Sequence, residues 1–264
     1  MTAHIEQQTA RSAGWAYGTA CFSAVLFATS ALSHRFGFLE TPGLIAVLAL
    51  VAALAVLALV FAVISFPRVW NRGDHGGRNI AKGVIIALLV LVPFAVFAYR
   101  GYTHPDLNDI STDTFAPPLF ANAGQVRTLD MNPITPAFSA AAARLQAESY
   151  PEVVGRRYEM PIDRVLNAVL ALVEERGWQI VESPATALMS PEMTVEAVAT
   201  TLVLALPSDV AIRLTDEGAS TYVDMRSASR YGQRDFGDNA ERIDSFLDEL
   251  DAAMAAQVGV VPAE

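Results

Sequence analysis

The hydrophobic positions of the first hundred residues fall into three long runs that carry almost no charge. The runs are Ala13–Leu32, Gly43–Phe66 and Ile80–Tyr99, with lengths of 20, 24 and 20 residues. A helix needs ~20 apolar residues to cross the ~30 Å hydrocarbon core of a bilayer. The pattern therefore predicts a membrane domain over residues 1–102, with transmembrane helices at 13–32, 43–66 and 80–99. A signal peptide is the alternative for the first run, but its preceding residues lack a strongly basic start.

After Tyr102 the pattern changes to short apolar stripes between polar segments. Residues 103–136 are rich in Pro, Asn, Asp and Thr and have no sustained period, which predicts an extended tether. Residues 137–264 alternate between helical and strand patterns, which predicts an exported α+β domain: an antiparallel sheet with two helices packed on one face. The predicted helices are Ala137–Glu148, a second from Pro161 to Gly177 and a third from Asp238 onward. The predicted strands are Glu152–Glu159, Trp178–Glu182, Val195–Leu206, Asp209–Thr215 and Val223–Arg230.

The stretch Val223–Leu250 combines a strand, a Gly-containing loop and a helix start. Apolar and polar residues alternate from Val223 to Arg230, and Asp238 with Glu241 resembles a capping box. If the preceding strand pairs so that Thr215 opposes Ser220, then Ile212 opposes Val223 on the core face. The same register places Asp209 opposite Arg226 on the other face.

Basic residues in the short loops predict how the chain crosses the membrane. Residues 67–79 contain Arg68, Arg72 and Arg78, whereas the loop after the first run contains only Arg35. Since cytoplasmic loops are enriched in Lys and Arg, the N-terminus is predicted to be cytoplasmic and the C-terminal domain periplasmic, at a bacterial inner membrane. The three spans make the lipid bilayer the first expected partner.

The charge of the outer half restricts its other partners. Residues 103–264 contain eleven Arg and 25 Asp or Glu, a net charge of −14. A domain this acidic is not expected to bind nucleic acid. The other expected partner is an unknown envelope protein or a small anionic ligand held by local Arg residues.

Several kinds of catalytic site are excluded by the residues that the outer half lacks. The four His residues are His4, His34, His75 and His104, and neither Cys nor Lys follows residue 103. A Ser-His-Asp triad, a Cys-His pair or a His/Cys zinc site is therefore excluded there, unless His104 folds back onto the domain. We accordingly expect no catalytic residues, no metal and no cofactor.

The remaining chemistry lies in a cluster of Arg, Ser, Asp and Asn residues. Guanidinium groups bind carboxylates and phosphates well, so the cluster could be an anion site. Alternatively, each Arg pairs with a neighbouring Asp in a structural network, and Asp235 with Asp238 caps a helix rather than binding a cation. The candidate binding residues are Arg213, Arg226, Ser227, Ser229, Arg230, Asp235, Asn239 and Arg242.

Seven of these eight residues, together with Gly232 and Gly237, form a spaced motif that resembles the motif of a known family. The positions are Arg226, Ser227, Ser229, Arg230, Gly232, Asp235, Gly237, Asn239 and Arg242. They resemble the C-terminal motif of domain of unknown function family 1499, and Asp209 with Arg213 resembles an upstream strand of that family. Ser208 replaces the first Asp of that strand, and DISTD at 109–113 stands where the family has Cys-Val-Ser-Ser. The resemblance covers about residues 105–252 and implies an exported or membrane-tethered domain without an established activity.

Three functional hypotheses follow. The first is a membrane-anchored, periplasm-facing binding or envelope-associated protein, which the missing catalytic residues favour. The second is a carboxylate-dependent hydrolase of the cell envelope, which requires two carboxyl groups ~5–9.5 Å apart in a cleft. The third is a transporter subunit, against which the spans contain no acidic residue.

Overall fold

The computed structural model describes residues 11–72, 74–182 and 191–258 and divides into two units. The first unit contains the chain through Tyr99 together with Val203–Ala205, and the second contains the remainder from Arg100 onward. Each unit is described by itself below.

Three long helices make up the first unit: α1 (Arg11–Arg35), α2 (Thr41–Arg72) and α3 (Gly77–Thr103), whose last turn from Arg100 belongs to the second unit. All three are long and apolar enough to cross a membrane, which confirms the prediction of three candidate spans. Small side chains let them pack closely. A Cβ at Gly83 would lie 3.0 Å from the backbone of Ala16, so glycine allows α3 to approach α1. The Ser23 hydroxyl also donates to the Val51 carbonyl at 3.0 Å, which joins α1 to α2.

Among the described residues of the second unit, six strands form one antiparallel sheet. Along the sheet the order is β1-β6-β5-β4-β3, and β2 also pairs with β6. The strands are β1 (Asp109–Ser111), β2 (Arg156–Tyr158), β3 (Gln179–Glu182), β4 (Glu192–Thr200), β5 (Pro207–Asp216) and β6 (Thr221–Ser229). The helices are α4 (Ala123–Val126), α5 (Ala140–Ser149), α6 (Ile162–Glu175) and α7 (Asp238–Val258).

The hydrophobic core lies between one face of this sheet and the helices α6 and α7. Because side chains alternate along a strand, one face of β5 and β6 presents apolar residues such as Ile212 and Met225. The apolar stripe of α6, including Val169, and that of α7, including Phe246, pack against this face. The predicted fold class, three apolar helices followed by an α+β domain with helices on one face of an antiparallel sheet, is confirmed.

The predicted pairing of β5 with β6 was wrong by two residues. Ile212 opposes Met225 rather than Val223, and Asp209 opposes Ala228 rather than Arg226. The cause is the turn, in which Gly218 has φ +92° and its N–H donates to the Asp216 carboxylate at 2.8 Å. This turn leaves Asp216 paired with Thr221. Because the shift is even, each side chain keeps its predicted face.

The segment predicted as a tether contributes to the sheet and covers it. Residues 109–111 form β1, which pairs with β6. Residues 112–138, here called the cover segment, lie against the face of the sheet opposite α6 and α7. The Arg213 guanidinium donates to the Ala116 carbonyl at 2.9 Å, and the Arg226 guanidinium donates to the Thr135 carbonyl at 2.8 Å. Both faces of the sheet are therefore occupied, one by α6 and α7 and the other by this segment.

Candidate functional site

The eight candidate residues do not form one group. Arg213 and Arg226 project from the face of the sheet opposite α6 and α7, and Arg230 pairs with the Asp209 carboxylate on the same face. The other five residues lie on the helix side, where the end of β6 meets the start of α7: Ser227, Ser229, Asp235, Asn239 and Arg242. Two polar clusters thus flank β6.

Arg226 is the centre of the first cluster and is completely buried. Its Nε and Nη2 atoms donate to the two carboxylate oxygens of Asp109 at 2.9 and 2.6 Å, a bidentate ion pair. Its remaining donors reach the Pro118 and Thr135 carbonyls. The predicted partner, Asp209, was wrong because of the register shift described above. The hydrogen-bonding capacity of Arg226 is therefore used within the domain.

Two aromatic rings of the chain also contact this guanidinium. The Arg226 Cζ atom lies 5.0 Å from the ring centroid of Phe120 and 5.2 Å from that of Phe138. A guanidinium within ~6 Å of an aromatic ring centroid is attracted by the ring electrons. Arg226 thus contacts two separate parts of the cover segment, near Phe120 and near Phe138.

Asp209, which belongs to the same first cluster, pairs with two other Arg residues. Arg230 donates to its Oδ1 atom at 2.7 and 3.0 Å, and Arg127 donates to its Oδ2 atom at 2.7 Å. The side chain of Asp209 is 2% exposed, so both positive charges face a desolvated carboxylate. Arg127 belongs to the cover segment and was not among the predicted residues.

Arg213 lies opposite Asp224, as the cross-strand register requires. Its Nη2 atom donates to the Asp224 carboxylate at 2.7 Å and to Asp113 of the cover segment at 3.3 Å. Burial acts to raise the pKa of Asp113. The N–H groups of Ala116 and Phe115 and the Arg213 charge outweigh burial and hold that pKa below its ordinary value. Asp113 is therefore ionised at neutral pH, as its ion pair requires.

In the second cluster, Asp235 caps α7. Its two carboxylate oxygens accept the N–H groups of Gly237 and Asn239 at 3.0 and 2.9 Å. Burial nevertheless raises the pKa of Asp235, and the nearby charge of Asp238 adds to that effect. The helix-cap alternative considered for this residue is what the structure contains.

The side chain of Asn239 connects β6, α7 and the residues before β1. Its Oδ1 atom accepts bonds from Ser227 at 2.8 Å and from Arg242 at 2.6 Å. Its Nδ2 atom donates to the Asn108 carbonyl at 2.9 Å and to the Ser229 hydroxyl at 3.0 Å. All four side-chain contacts are internal to the domain.

Sequence reasoning missed Glu196, which is 3% exposed on β4. Its carboxylate accepts the N–H groups of Ala121, Asn122 and Ala123 and so anchors the cover segment at α4. The available signal was a carboxylate within the otherwise apolar run Val195–Ala199. Arg127 was missed because it lies in a segment without periodicity, and the sequence interpretation of Asp109 as a solvated tether residue was wrong, since it pairs with Arg226.

One open cleft in the second unit has the volume of a small-molecule site. It measures about 520 Å³ and is lined by Tyr102, Thr103, His104, Pro105, Leu145, Ser149 and Tyr150. His104 folds back onto the domain and contacts Gly237, where a Cβ would lie 2.4 Å from its Cδ2 atom. Over the described residues no group of three His, Cys, Asp or Glu side chains could hold a metal ion.

A model of the family described as "Protein of unknown function (DUF1499)" matches residues 109–250. These residues extend from β1 into α7 and include both polar clusters. No curated protein and no solved structure matches the chain.

Proposed function

We propose that this chain, which belongs to the DUF1499 family, is a membrane-anchored protein whose α+β domain faces the periplasm and binds a ligand. The anchor is supported by the three long apolar helices α1, α2 and α3. The orientation is supported by the basic residues between α2 and α3, because such residues favour the cytoplasmic side.

One observation decides where the ligand is proposed to bind, and it disfavours the Arg cluster. The guanidinium groups of Arg213, Arg226 and Arg230 donate to Asp224, Asp109 and Asp209, and each of these three carboxylates is itself buried or mostly buried. A bound anion would compete with a desolvated carboxylate at each Arg. We therefore assign this network to holding the cover segment, and we assign ligand binding to the open cleft near His104.

A carboxylate-dependent hydrolase is the second candidate function. It is favoured by the raised pKa of Asp235, which is a property of general acids. However, both Asp235 oxygens accept backbone N–H groups, and Asp238 pairs with Arg100 at 2.7 Å. A general acid and a general base facing each other across a cleft are not formed by these two residues, so we favour binding.

Cysteine labelling tests the orientation in the full chain. Cys21 is the only Cys, so a Cys21→Ser background allows single labelled positions. Glu175 on α6 and Asn71 on α2 are both exposed, and each is changed to Cys in turn. A membrane-impermeant maleimide should label E175C on spheroplasts and N71C only after lysis. The reverse pattern would contradict the periplasmic assignment.

Mass spectrometry of the full chain, released from nanodiscs reconstituted with envelope extract, tests binding against hydrolysis. Under the proposal the chain retains a small molecule that is recovered chemically unchanged. Recovery of the molecule only as its hydrolysis products, with loss of turnover in Asp235→Asn, would favour the hydrolase instead.

A further inference from the structure

The connection between β4 and β5 is an apolar loop within an acidic domain. Its residues 202–206, here called the apolar loop, are Leu, Val, Leu, Ala and Leu. Hairpin connections are normally polar and rich in Gly, Asn, Asp and Ser. The connection between β5 and β6 has that ordinary composition, since residues 217–220 are Glu, Gly, Ala and Ser. The apolar loop is therefore an exception that turn formation does not explain.

Hydrogen bonds close the apolar loop at its base, and two large aliphatic residues beyond that base are exposed. The Thr201 N–H donates to the Leu206 carbonyl at 3.0 Å, and the Leu206 N–H donates to the Thr201 hydroxyl at 3.0 Å. Between them, Leu202 is 90% exposed and Val203 is 71% exposed. Exposing two adjacent aliphatic side chains to water is unfavourable, and transferring them to an apolar environment is favourable.

The middle of the apolar loop belongs to the unit of the long apolar helices. Residues 203–205 fall in the first unit, together with α1, α2 and α3 up to Tyr99. The His34 ring lies in the last turn of α1, and its Nδ1 atom is 2.7 Å from the Leu204 carbonyl oxygen. Its Nε2 atom is 2.9 Å from the hydroxyl of Thr41, the first residue of α2. Because a carbonyl oxygen only accepts, Nδ1 donates to Leu204, and Nε2 of the neutral ring accepts from Thr41. The loop is thus held where α1 ends and α2 begins.

The place where α1 ends and α2 begins is the expected boundary between lipid and water. The predicted spans at 13–32 and 43–66 end and start just beside it. The connection between these two helices carries two exposed aromatic residues, Phe36 at 69% and Phe38 at 86% exposure. Exposed apolar side chains at such a boundary are typical of a surface that contacts a membrane. The helix ends that hold the apolar loop are therefore already expected to meet lipid.

The charge distribution favours lipid over a second copy of the chain as the partner of the apolar loop. Residues 197–208 include no Asp, Glu, Lys or Arg, so insertion of the loop would not transfer a charge out of water. By contrast, residues 103–264 carry a net charge of −14, so two such domains repel each other. Acyl chains are the partner that suits both observations.

We propose that the apolar loop is a second membrane contact, in which Leu202 and Val203 insert between the acyl chains of the bilayer that α1, α2 and α3 cross. This contact holds one end of β4 and β5 at the membrane surface, in addition to the covalent link through α3. The inference goes beyond the proposed ligand binding. It rests on the proposed membrane anchor, but not on which side of the membrane the domain faces.

The test measures lipid contact at single labelled positions of the full chain, reconstituted at one copy per phosphatidylcholine nanodisc. Cys21→Ser removes the only native Cys, and Val203→Cys carries the environment-sensitive fluorophore NBD. Val63→Cys on α2 is the matched lipid control, because Val63 is also 71% exposed. Ala219→Cys, at an exposed position in the connection between β5 and β6, is the water control.

The label at position 203 should emit at a shorter wavelength than the label at position 219, and nitroxide-labelled lipid should quench it as it quenches the label at position 63. Nitroxides near the headgroup should quench it more than nitroxides near the chain end, because surface segments penetrate only ~5–10 Å into the boundary between headgroups and acyl chains. Adding Leu202→Asp should abolish the quenching at position 203, because a charge is unfavourable in lipid. This variant separates insertion of the loop from insertion of the fluorophore by itself.

Three results would overturn the inference. They are emission and quenching at position 203 equal to those at position 219, short-wavelength emission at position 203 without quenching by lipid, and quenching that persists in Leu202→Asp. The second of these results would mean that protein covers the apolar loop. Quenching at position 63 but not at position 203 would overturn this inference alone, whereas absence of quenching at position 63 would also contradict the proposed membrane anchor.

Discussion

At the scale of single residues, the domain depends on buried charges that are matched within it. Arg226 is fully buried, and its side chain connects Asp109, two carbonyls of the cover segment and two aromatic rings. Removing one partner of a buried pair leaves the other charge desolvated and unpaired, which costs more than the pair itself contributes. The stability of the domain should therefore respond strongly to this one side chain.

Arg226→Ala should destabilise the domain by about 3–5 kcal/mol. The control is Arg144→Ala, which removes an ion pair on α5 whose side chains are 82% and 60% exposed and should cost less than ~1 kcal/mol. Trp178 is partly buried against the core and stacks on Phe246 with 5.4 Å between ring centroids, and it reports unfolding by fluorescence once Trp15 and Trp70 are changed to Phe. Equal urea midpoints for the two variants would mean that Arg226 is not buried against Asp109.

Gly237 should be required for two separate reasons. Its φ of +86° disfavours any side chain, and an added Cβ would lie 2.4 Å from His104. Gly218 has φ +92° but nothing within 4 Å of an added Cβ. Gly218→Ala should therefore lower the free energy of unfolding only by the ~1–2 kcal/mol that a left-handed backbone costs a residue with a side chain. Gly237→Ala should therefore lower the free energy of unfolding by more than Gly218→Ala does. Adding His104→Ala should restore part of that difference, and an unchanged difference would exclude the steric contact.

At the scale of elements, periodicity predicted which face of each strand is buried, but it did not predict which residues of neighbouring strands lie opposite each other. The alternation from Val223 to Arg230 correctly separated core residues from charged ones. The register failed because it depends on the backbone of the Asp216–Thr221 turn, which apolar spacing does not encode. Asp109 and Glu196 could not be recognised as anchors, since their partners are backbone groups or side chains distant in sequence. Long-range pairing of this kind leaves no local pattern.

Glu196→Ala should release the cover segment near α4. The substitution leaves the N–H groups of Asn122 and Ala123 without their buried acceptor, which corresponds to about 1–3 kcal/mol. Hydrogen exchange should accelerate at those two amides, while amides of α6 stay protected. Glu174→Ala, at an exposed position on α6, is the control and should change neither region. Unchanged exchange at Asn122 would contradict the anchoring role.

The start of α7 should make stability depend on pH through Asp235. Burial raises its folded pKa above the usual 3.8, so the folded state binds the proton more tightly than the unfolded state does. Stability from this group is therefore present below pH 3.8 and is lost as pH rises through the folded pKa. The free energy of unfolding of wild type minus that of Asp235→Asn should decrease across this window. An increase with pH would reverse the sign and contradict the buried position.

At the scale of the whole molecule, the sequence predicted the division into apolar helices and an acidic α+β domain. The length and hydropathy of the apolar runs were sufficient to predict the spans, because the thickness and the apolar nature of a bilayer set both properties of a spanning helix. The start of the folded domain was not predictable in this way. The family match begins at Asp109, yet Leu107 is buried in the core and the Asn108 carbonyl accepts bonds from Ser229 and Asn239. Residues 100–108 are therefore part of the folded unit.

This difference predicts that the two boundaries give domains of unequal stability. A fragment of residues 100–258 should unfold at higher urea than a fragment of residues 109–258, because burial of Leu107 alone contributes ~1.5–3 kcal/mol. Arg100→Ala in the longer fragment separates the contribution of the Arg100 ion pair from that of Leu107 and Asn108. Its pair with Asp238 is about one-third exposed and should contribute less than ~1 kcal/mol. If Arg100→Ala alone reproduced the loss in the shorter fragment, the ion pair rather than Leu107 and Asn108 would define the start of the domain. Equal stability of the two fragments would place that start at Asp109.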